Sequence, residues 1–190
     1  MKWIIGIDEV GRGPLAGPVT VCALMFPGSA FRSSESVFDS KQLSSRLRQK
    51  ISRHLHLMRR EGLIDFRIAS VSERIIDRRG VVHAINLAIA RSLESLGDQV
   101  TKSQILLDGG LRAPRHYKNQ KTIIKGDASV PIIGLASIIA KVHRDRLMTR
   151  LGAKHLSWGF EKHKGYGTAA HYAALRKHGP SPIHRLSFLS

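Results

Sequence analysis

The feature that most limits the fold is an apolar segment near the N-terminus that ends in two adjacent carboxylates. Residues 3–7 have the composition of a buried strand, and Asp8 and Glu9 follow them directly. A turn built on glycine and proline comes next, and residues 18–25 form a second apolar segment. For an isolated pair of acids, a solvated turn is the commoner structure. A buried carboxylate, however, requires a positive partner, so this stretch predicts a cation site. The glycines predict that a ligand can approach the main chain of the adjacent loop closely.

The charge of the chain indicates a polyanionic partner. Lys and Arg number 31 against 14 acids, which gives a formal net charge of +17. A folded chain this basic most often meets nucleic acid or an anionic membrane surface. The length of 190 residues, with 42% apolar residues, predicts one domain with a sizeable core over 1–190.

The cellular setting is predicted to be the cytoplasm. Cys22 is the only cysteine, which excludes an internal disulfide and fits a reducing compartment. The N-terminus lacks the pattern of a signal peptide, and no apolar run approaches the length of a membrane span.

The order of predicted elements is that of an α/β domain. Strands over about 2–9 and 17–25 are joined by a short turn, which predicts an antiparallel pair. The later predictions are a helix over 43–60, a strand over 66–71, a helix from Val82 to Gly97, strands over 104–107 and 122–124, a helix over 131–151, and a last helix from Thr168 to Gly179. This order predicts a mixed sheet flanked by helices, antiparallel at first and parallel later.

Two of the predicted helices carry an apolar stripe. In the first helix, which Ser40 or Ser44 is expected to cap, the stripe consists of Leu43, Leu47, Ile51, Leu55 and Met58. In the long helix it consists of Ala136, Ala140, His143, Leu147 and Leu151. The other face of the first helix is basic at Arg46, Arg48, Lys50, Arg53, Arg59 and Arg60. Solvated faces usually mix charge signs, so this face indicates a nearby polyanion.

Three predicted strands each lead into an acid, and this pattern predicts a metal site. Asp8 and Glu9 follow the first strand, Asp108 follows the fourth and Asp127 follows the fifth. Ligands of α/β sheets gather at the carboxyl ends of strands, so Asp8 and Asp108 are expected side by side, with Asp127 in a loop over them. Oxygen ligands suit Mg²⁺ or Mn²⁺, and two such ions can promote phosphodiester hydrolysis.

Other catalytic arrangements are not supported by the sequence. No convincing Ser-His-Asp order or Cys-His pair is present, and the nucleotide-binding motif G-x-x-x-x-G-K-[ST] is absent. The ten histidines are scattered without the spacing of a zinc site.

A second candidate site lies near the C-terminus, where cations flank an aromatic residue between two glycines. Tyr166 is a candidate to stack on a sugar or base, and Lys162 and Lys164 are candidates to contact phosphates. A tyrosine that packs over a turn is the alternative. Lys41 is a further candidate phosphate contact, whereas Asp145 is expected to form an ion pair on its own helix.

Taken together, these stretches resemble the type 2 ribonucleases H, in particular bacterial ribonuclease HII. The matching segments are Gly6–Pro18, Asp39–Ser44, Leu107–Gly109, Lys125–Asp127, Ala136–Val142, Arg144–Asp145, His163–Thr168 and Ile183–Phe188. They follow the order of the family and cover nearly the whole chain. The resemblance implies a ribonuclease H-like fold with a mixed five-stranded sheet.

The same resemblance implies a role for each site residue. Asp8, Glu9, Asp108 and Asp127 would be the catalytic, metal-binding acids. Gly11, Arg12 and Gly13 would contact the 2′-hydroxyl at an RNA–DNA junction, and Tyr166 would stack on the deoxyribose that follows. Lys41 and Lys164 would complete substrate binding.

The activity predicted on this basis is that of a monomeric endoribonuclease dependent on Mn²⁺ or Mg²⁺. It would cleave RNA in RNA/DNA hybrids and nick 5′ of single ribonucleotides in duplex DNA, leaving 5′-phosphate and 3′-hydroxyl ends. Two alternatives remain open. A non-catalytic nucleic-acid-binding module would explain the positive charge, and a resolvase-like or transposase-like nuclease would cleave DNA alone.

Overall fold

The computed structural model describes residues 3–28 and 43–189, and its centre is one five-stranded sheet. The strands are β1 (Trp3–Val10), β2 (Val19–Pro27), β3 (Asp65–Val71), β4 (Gln104–Asp108) and β5 (Gln120–Ile123). Their order across the sheet is β3-β2-β1-β4-β5. The β1–β2 and β2–β3 pairs are antiparallel, and the β1–β4 and β4–β5 pairs are parallel. The mixed sheet predicted from the sequence is therefore confirmed.

Helices cover both faces of this sheet. They are α1 (Ser45–Arg60), α2 (Glu73–Arg79), α3 (Val81–Glu94), α4 (Gly126–Ser129), α5 (Pro131–Lys154), α6 (Phe160–His163) and α7 (Ala169–His178). Short 3₁₀ helices span Asp98–Lys102, Leu156–Trp158 and Leu186–Phe188. None of the described helices is long and apolar enough to cross a membrane.

Side chains cap two of the helices, as the sequence predicts. The Ser44 hydroxyl accepts the main-chain N–H of Leu47 at 3.2 Å, at the start of α1. The Thr168 hydroxyl accepts the N–H of His171 at 3.3 Å, at the start of α7. Each bond satisfies an amide that the first helical turn leaves without a partner. Ser40, the alternative cap for α1, lies outside the described residues.

The alternation of β1 directs its residues into two separate cores. Ile5 and Ile7 are fully buried in the core on the α3 side. Gly6 faces the opposite helix, α5, and a Cβ atom on Gly6 would lie 2.6 Å from the carbonyl carbon and oxygen of Ile132. The absence of a side chain at Gly6 therefore lets α5 lie directly on the sheet. This close packing brings the first half of α5 to the end of β1.

The predicted stripe of α1 is wrong at one end. Apolar contacts between α1 and the core begin at Ile51 and include the buried Leu55. Leu47 is 41% exposed because it lies beyond the edge of this core. Periodicity identifies the apolar face of a helix but not where its neighbour ends.

The predicted stripe of α5 is wrong in its second half. Arg144 and Met148 are buried there, and not His143 or Leu147. This half of α5 leaves the sheet and packs on the loop between β1 and β2, which requires polar as well as apolar contacts.

The fifth strand also differs from the prediction. It begins two residues earlier than predicted and ends at Ile123, so that Ile124 is outside the strand and 83% exposed.

Candidate active site

The register of the sheet places two acids next to each other at the centre of its carboxyl edge. Pairing of β1 with β4 ends at Ile7 and Leu107, so Asp8 and Asp108 follow on neighbouring parallel strands. Ligand oxygens of Asp8, Glu9 and Asp108 all lie within 4.8 Å of one another. The expectation that Asp8 and Asp108 meet is therefore correct.

Glu9 joins the cluster although neighbouring strand residues point to opposite faces. Glu9 pairs with β2 but lies beyond Ile7, the last residue of β1 that pairs with β4. The Oδ1 atom of Asp8 accepts the main-chain N–H of Glu9 at 2.8 Å and ties the two residues together. The Glu9 carboxylate lies 3.9 Å from the guanidinium of Arg12, whose side chain is 56% exposed. Arg12 thus adds positive charge at the rim of the acid cluster.

Asp127 approaches the same cluster from α4. Lys125 adopts a left-handed conformation (φ 53°) and turns the chain into this one-turn helix, where the sequence predicted a loop. The main-chain N–H of Asp127 then donates to Oδ1 of Asp108 at 3.1 Å. Asp127 is 3% exposed and lines the same cleft as the other three acids.

Electrostatics make this cluster unfavourable without a cation. Burial raises the pKa of Asp8 well above its usual range, and the charges of Glu9 and Asp108 raise it further. A hydrogen bond with the Ser137 side chain acts in the opposite direction. Burial likewise raises the pKa of Glu9. A divalent cation among the carboxylates would relieve both the repulsion and the desolvation.

The donor set fits a hard divalent cation. Within residues 3–28 and 43–189, Asp8, Glu9 and Asp108 are the one group of three or more potential metal ligands so close together. All three offer carboxylate oxygen, which suits Mg²⁺ and Mn²⁺ better than softer metals.

A cleft of about 480 Å³ opens over the acids and is lined by cations and glycines as well. Its lining comprises Asp8, Glu9, Val10, Gly11, Arg12, Gly13, Arg48, Asp108, Asp127, Ser137, Ile138, Lys141 and Tyr166. Tyr166 is 40% exposed, and the Lys141 ammonium lies 5.6 Å from the centre of its ring. Lys141 also pairs with Asp145 at 2.8 Å, which confirms the ion pair predicted for that acid. The cleft thus combines an acid floor with a cationic and aromatic rim.

The predicted substrate contact Lys164 does not line this cleft. The Lys164 ammonium donates to the Thr149 hydroxyl at 2.7 Å and to the Glu161 carbonyl. It lines a neighbouring groove together with Arg48 and Arg146. Lys41 lies outside the described residues. The role of Lys164 in binding remains a prediction.

Sequence reasoning missed several polar residues near the site. Ser137 forms a hydrogen bond with Asp8, and nothing in the sequence marks it as a partner of this acid. Arg144 and Arg185 are fully buried, although no pattern in the sequence predicts their burial.

Four of the histidines that look scattered in the sequence lie close together in the structure. His155, His163, His171 and His184 surround the ring of Phe160, with ring centroids 5.4 to 6.4 Å from its own. These histidines have no regular spacing in the sequence that would predict the cluster.

The sheet order and the acids at the ends of β1 and β4 define a ribonuclease H-like nuclease. The family model for Ribonuclease HII matches residues 5–190, and the chain belongs to this family. The chain is 43% identical to Ribonuclease HII of Sphingopyxis alaskensis over 97% of its own length and 88% of the relative. It is accordingly a metal-dependent endonuclease of the ribonuclease H class that acts on the RNA strand of RNA/DNA hybrids.

Solved structures agree on the fold at lower identity. The RNase HII in the PCNA:RNase HII complex from Archaeoglobus fulgidus superposes with a TM-score of 0.70 at 24% identity, over 98% of this chain and 94% of that one. Bst-RNase HIII, solved in complex with Mn²⁺, also gives a TM-score of 0.70, at 19% identity, over 98% of this chain and 67% of that one.

Proposed function

We propose that the protein also nicks duplex DNA on the 5′ side of a single embedded ribonucleotide, leaving 5′-phosphate and 3′-hydroxyl ends. The observation that carries this proposal is that residues 11–13 line the same cleft as the carboxylates. Discrimination of one ribonucleotide requires recognition of a single 2′-hydroxyl. A glycine-rich main chain beside the acids is suited to that contact because it has little side-chain bulk.

The proposed binding roles follow the lining of the cleft. A Cβ atom on Gly13 would meet nothing within 4 Å, so a sugar can approach this residue closely. The exposed ring of Tyr166 would stack on the next deoxyribose, where a 2′-hydroxyl would leave less room. Arg12, Arg48 and Lys141 would contact phosphates along the strand. Lys41 and Lys164 are proposed as further phosphate contacts.

We further propose that Asp8, Glu9, Asp108 and Asp127 hold two Mn²⁺ or Mg²⁺ ions. Bound ions would activate a water for attack on phosphorus and stabilise the leaving oxygen. The protein fixes two of the carboxylates in advance, because Asp8 accepts the Glu9 amide and Asp108 accepts the Asp127 amide. The Mn²⁺ complex of Bst-RNase HIII is consistent with this choice of metal.

One chain supplies all four acids and the glycine loop, which supports a monomer as the active unit. Sedimentation equilibrium of the protein with and without a hybrid substrate tests this point. The cytoplasmic location expected from the sequence remains a prediction.

The decisive experiment compares three labelled duplexes: an RNA/DNA hybrid, a DNA duplex with one ribonucleotide, and an all-DNA duplex. Each is incubated with protein and Mn²⁺ or Mg²⁺, with and without chelator. Asp108→Asn removes one acid of the cluster, and Asp98→Asn, at the exposed start of a 3₁₀ helix, is the matched control. We expect metal-dependent nicking 5′ of the ribonucleotide by the parent and by Asp98→Asn alone.

The other outcomes separate the alternatives. Nicking of the all-DNA duplex would favour a resolvase-like nuclease. Cleavage of the hybrid without nicking at a single ribonucleotide would restrict the protein to RNA tracts. Tight binding without any cleavage would indicate a binding module.

A further inference from the structure

Two arginines beneath the cleft are completely buried, and they bind main chain instead of acids. Arg144, on α5, and Arg185, close to the end of the described chain, are both 0% exposed. Within the described residues their guanidinium groups form six hydrogen bonds, and every one ends on a main-chain carbonyl oxygen. Buried charge without a paired carboxylate is uncommon, so these two residues need an explanation.

Arg185 holds the loop that lines the cleft. Its Nη2 and Nη1 atoms donate to the carbonyls of Gly11 at 2.6 Å and Arg12 at 2.9 Å. Its Nε atom donates to the carbonyl of Gly17 at 2.9 Å, at the far end of the same loop. The main-chain N–H of Arg185 donates to the Leu15 carbonyl at 2.8 Å. Arg185 alone therefore donates hydrogen bonds to four main-chain carbonyls of the β1–β2 loop.

Arg144 connects that loop to the segment that carries Tyr166. Its Nε and Nη2 atoms donate to the carbonyls of Pro18 at 3.0 Å and Ala16 at 3.2 Å. Its Nη1 atom donates to the carbonyl of Lys164 at 3.0 Å, and its guanidinium carbon lies 5.8 Å from the centre of the Tyr166 ring. The two parts of the substrate-binding rim are thus joined through one guanidinium.

These bonds determine where the amides of the loop point. In a planar trans peptide, the C=O of one residue and the N–H of the next point in opposite directions. Because the carbonyls of Gly11 and Arg12 face the buried Arg185, the N–H groups of Arg12 and Gly13 point away from it. Residues 11–13 line the cleft, so the N–H groups of Arg12 and Gly13 are candidate donors to a bound strand.

We propose that Arg144 and Arg185 are positioning residues that fix the main-chain donors of residues 11–13, and the ring of Tyr166, for recognition of the ribonucleotide. This inference rests on the proposed function and assigns recognition to two residues that lie outside the cleft. Among side chains, only a guanidinium has several N–H donors that point in different directions within one plane. It can therefore reach three carbonyl oxygens at once. Lysine would keep the charge but not this geometry.

Arg185→Lys and Arg144→Lys test the proposal, with Arg91→Lys as the matched control because Arg91 is exposed on α3. Steady-state kinetics are measured on the RNA/DNA hybrid and on the duplex with one ribonucleotide. We expect KM on both to rise about tenfold or more in the two buried variants, with kcat changed less than about threefold. The control should stay within about twofold of the parent.

Two further measurements separate positioning from a general loss of structure. Mn²⁺ affinity by titration calorimetry should stay within about twofold of the parent, because the acids do not contact either arginine. Hydrogen exchange should become at least about tenfold faster in a peptide covering residues 11–18, and remain unchanged in one covering residues 65–71.

The contrary outcomes are well defined. A KM within twofold of the parent in both variants would overturn the proposal, as would Mn²⁺ affinity that falls in parallel with substrate affinity. Failure of both variants to fold, judged by circular dichroism, would show that the arginines are purely structural. If the parent cleaves only the hybrid, the proposed nicking fails, whereas KM on the hybrid still decides the role of the arginines.

Discussion

The Nε2 atoms of His171 and His184 lie 2.9 Å apart, and their other partners fix the tautomer of each ring. Nδ1 of His171 faces the Tyr166 carbonyl, which can only accept, so His171 carries its hydrogen there and accepts at Nε2. His184 must then donate from Nε2 and accept at Nδ1, where the N–H and hydroxyl of Ser181 lie at 2.8 and 2.7 Å. Both rings are therefore neutral in the folded protein.

This arrangement predicts that acid destabilises the fold. The pKa of His184 is lowered to about 4, chiefly by burial and in smaller part by the nearby His171, His163 and His155. The unfolded chain, with an ordinary histidine pKa near 6.5, binds more protons below that pH, so the free energy of unfolding falls between pH 6.5 and 4. We expect a loss of about 2–3 kcal/mol from this residue in urea unfolding across that range.

The control for acid sensitivity is His184→Gln, which removes the titrating ring. The carboxylates titrate in both proteins, so the difference between parent and variant isolates the histidine. The variant is expected to be less stable at pH 7.5 but to lose less stability on acidification. Equal pH slopes in the two proteins would contradict the assignment.

Removal of one charge from the acid cluster should stabilise the metal-free protein while it abolishes activity. Asp108→Asn keeps an oxygen that can accept the Asp127 amide, but it ends the repulsion with Asp8 and Glu9. We expect the melting temperature in EDTA to rise by about 2–5 °C. In excess Mn²⁺ the parent should gain more stability than the variant. A lower melting temperature of Asp108→Asn in EDTA would show that repulsion among the acids is negligible.

Gly11 and Gly13 are expected to respond differently to the same substitution. A Cβ atom at Gly11 (φ +89°) would lie 2.2 Å from Nε of Arg144, so Gly11→Ala should destabilise the protein by about 2–4 kcal/mol. Gly13→Ala meets nothing within 4 Å and should change stability by less than about 0.5 kcal/mol. It should nevertheless raise KM about tenfold, because the added methyl group would project from the loop that we propose to contact the substrate. An unchanged KM would remove Gly13 from the contact surface.

The close packing of β1 on α5 predicts that a side chain at Gly6 lowers the stability of the protein, although Gly6 has no role in catalysis. Gly6→Ala would place a methyl group 2.6 Å from the main chain of Ile132, and we expect a loss of about 2–4 kcal/mol in urea unfolding. Gly110→Ala, with nothing within 4 Å of its Cβ, should leave stability unchanged or slightly higher. Similar losses of stability in both variants would indicate that the conformational preference of the residue, and not contact with Ile132, causes the effect.

The sheet and the meeting of Asp8 with Asp108 could be predicted because they follow from local pattern. Apolar runs that end in acids determine both the strands and their carboxyl ends, and the parallel neighbours then bring the acids together. Ser44 and Thr168 were predictable as caps because a hydroxyl residue directly before a predicted helix is itself the signal.

The buried arginines could not be predicted for a physical reason. Their acceptors are main-chain carbonyls, which every residue carries and no sequence pattern distinguishes. Arg144 also falls among exposed cations on α5, where composition favours a surface position. The histidine cluster is hidden similarly, because its members are far apart in the sequence and come together only around the ring of Phe160.

The hydrogen bond from Arg185 to the Gly11 carbonyl joins two residues that are 174 positions apart in the sequence. On the ribosome, the first strand and its acids emerge early, whereas Arg185 emerges last among the residues that shape the cleft. The acid cluster needs β4 and α4, but the β1–β2 loop also needs its hydrogen bonds with Arg185, which is synthesised later. The conformation of the β1–β2 loop therefore depends on hydrogen bonds that can form only after the strands and helices that supply the acids have been synthesised.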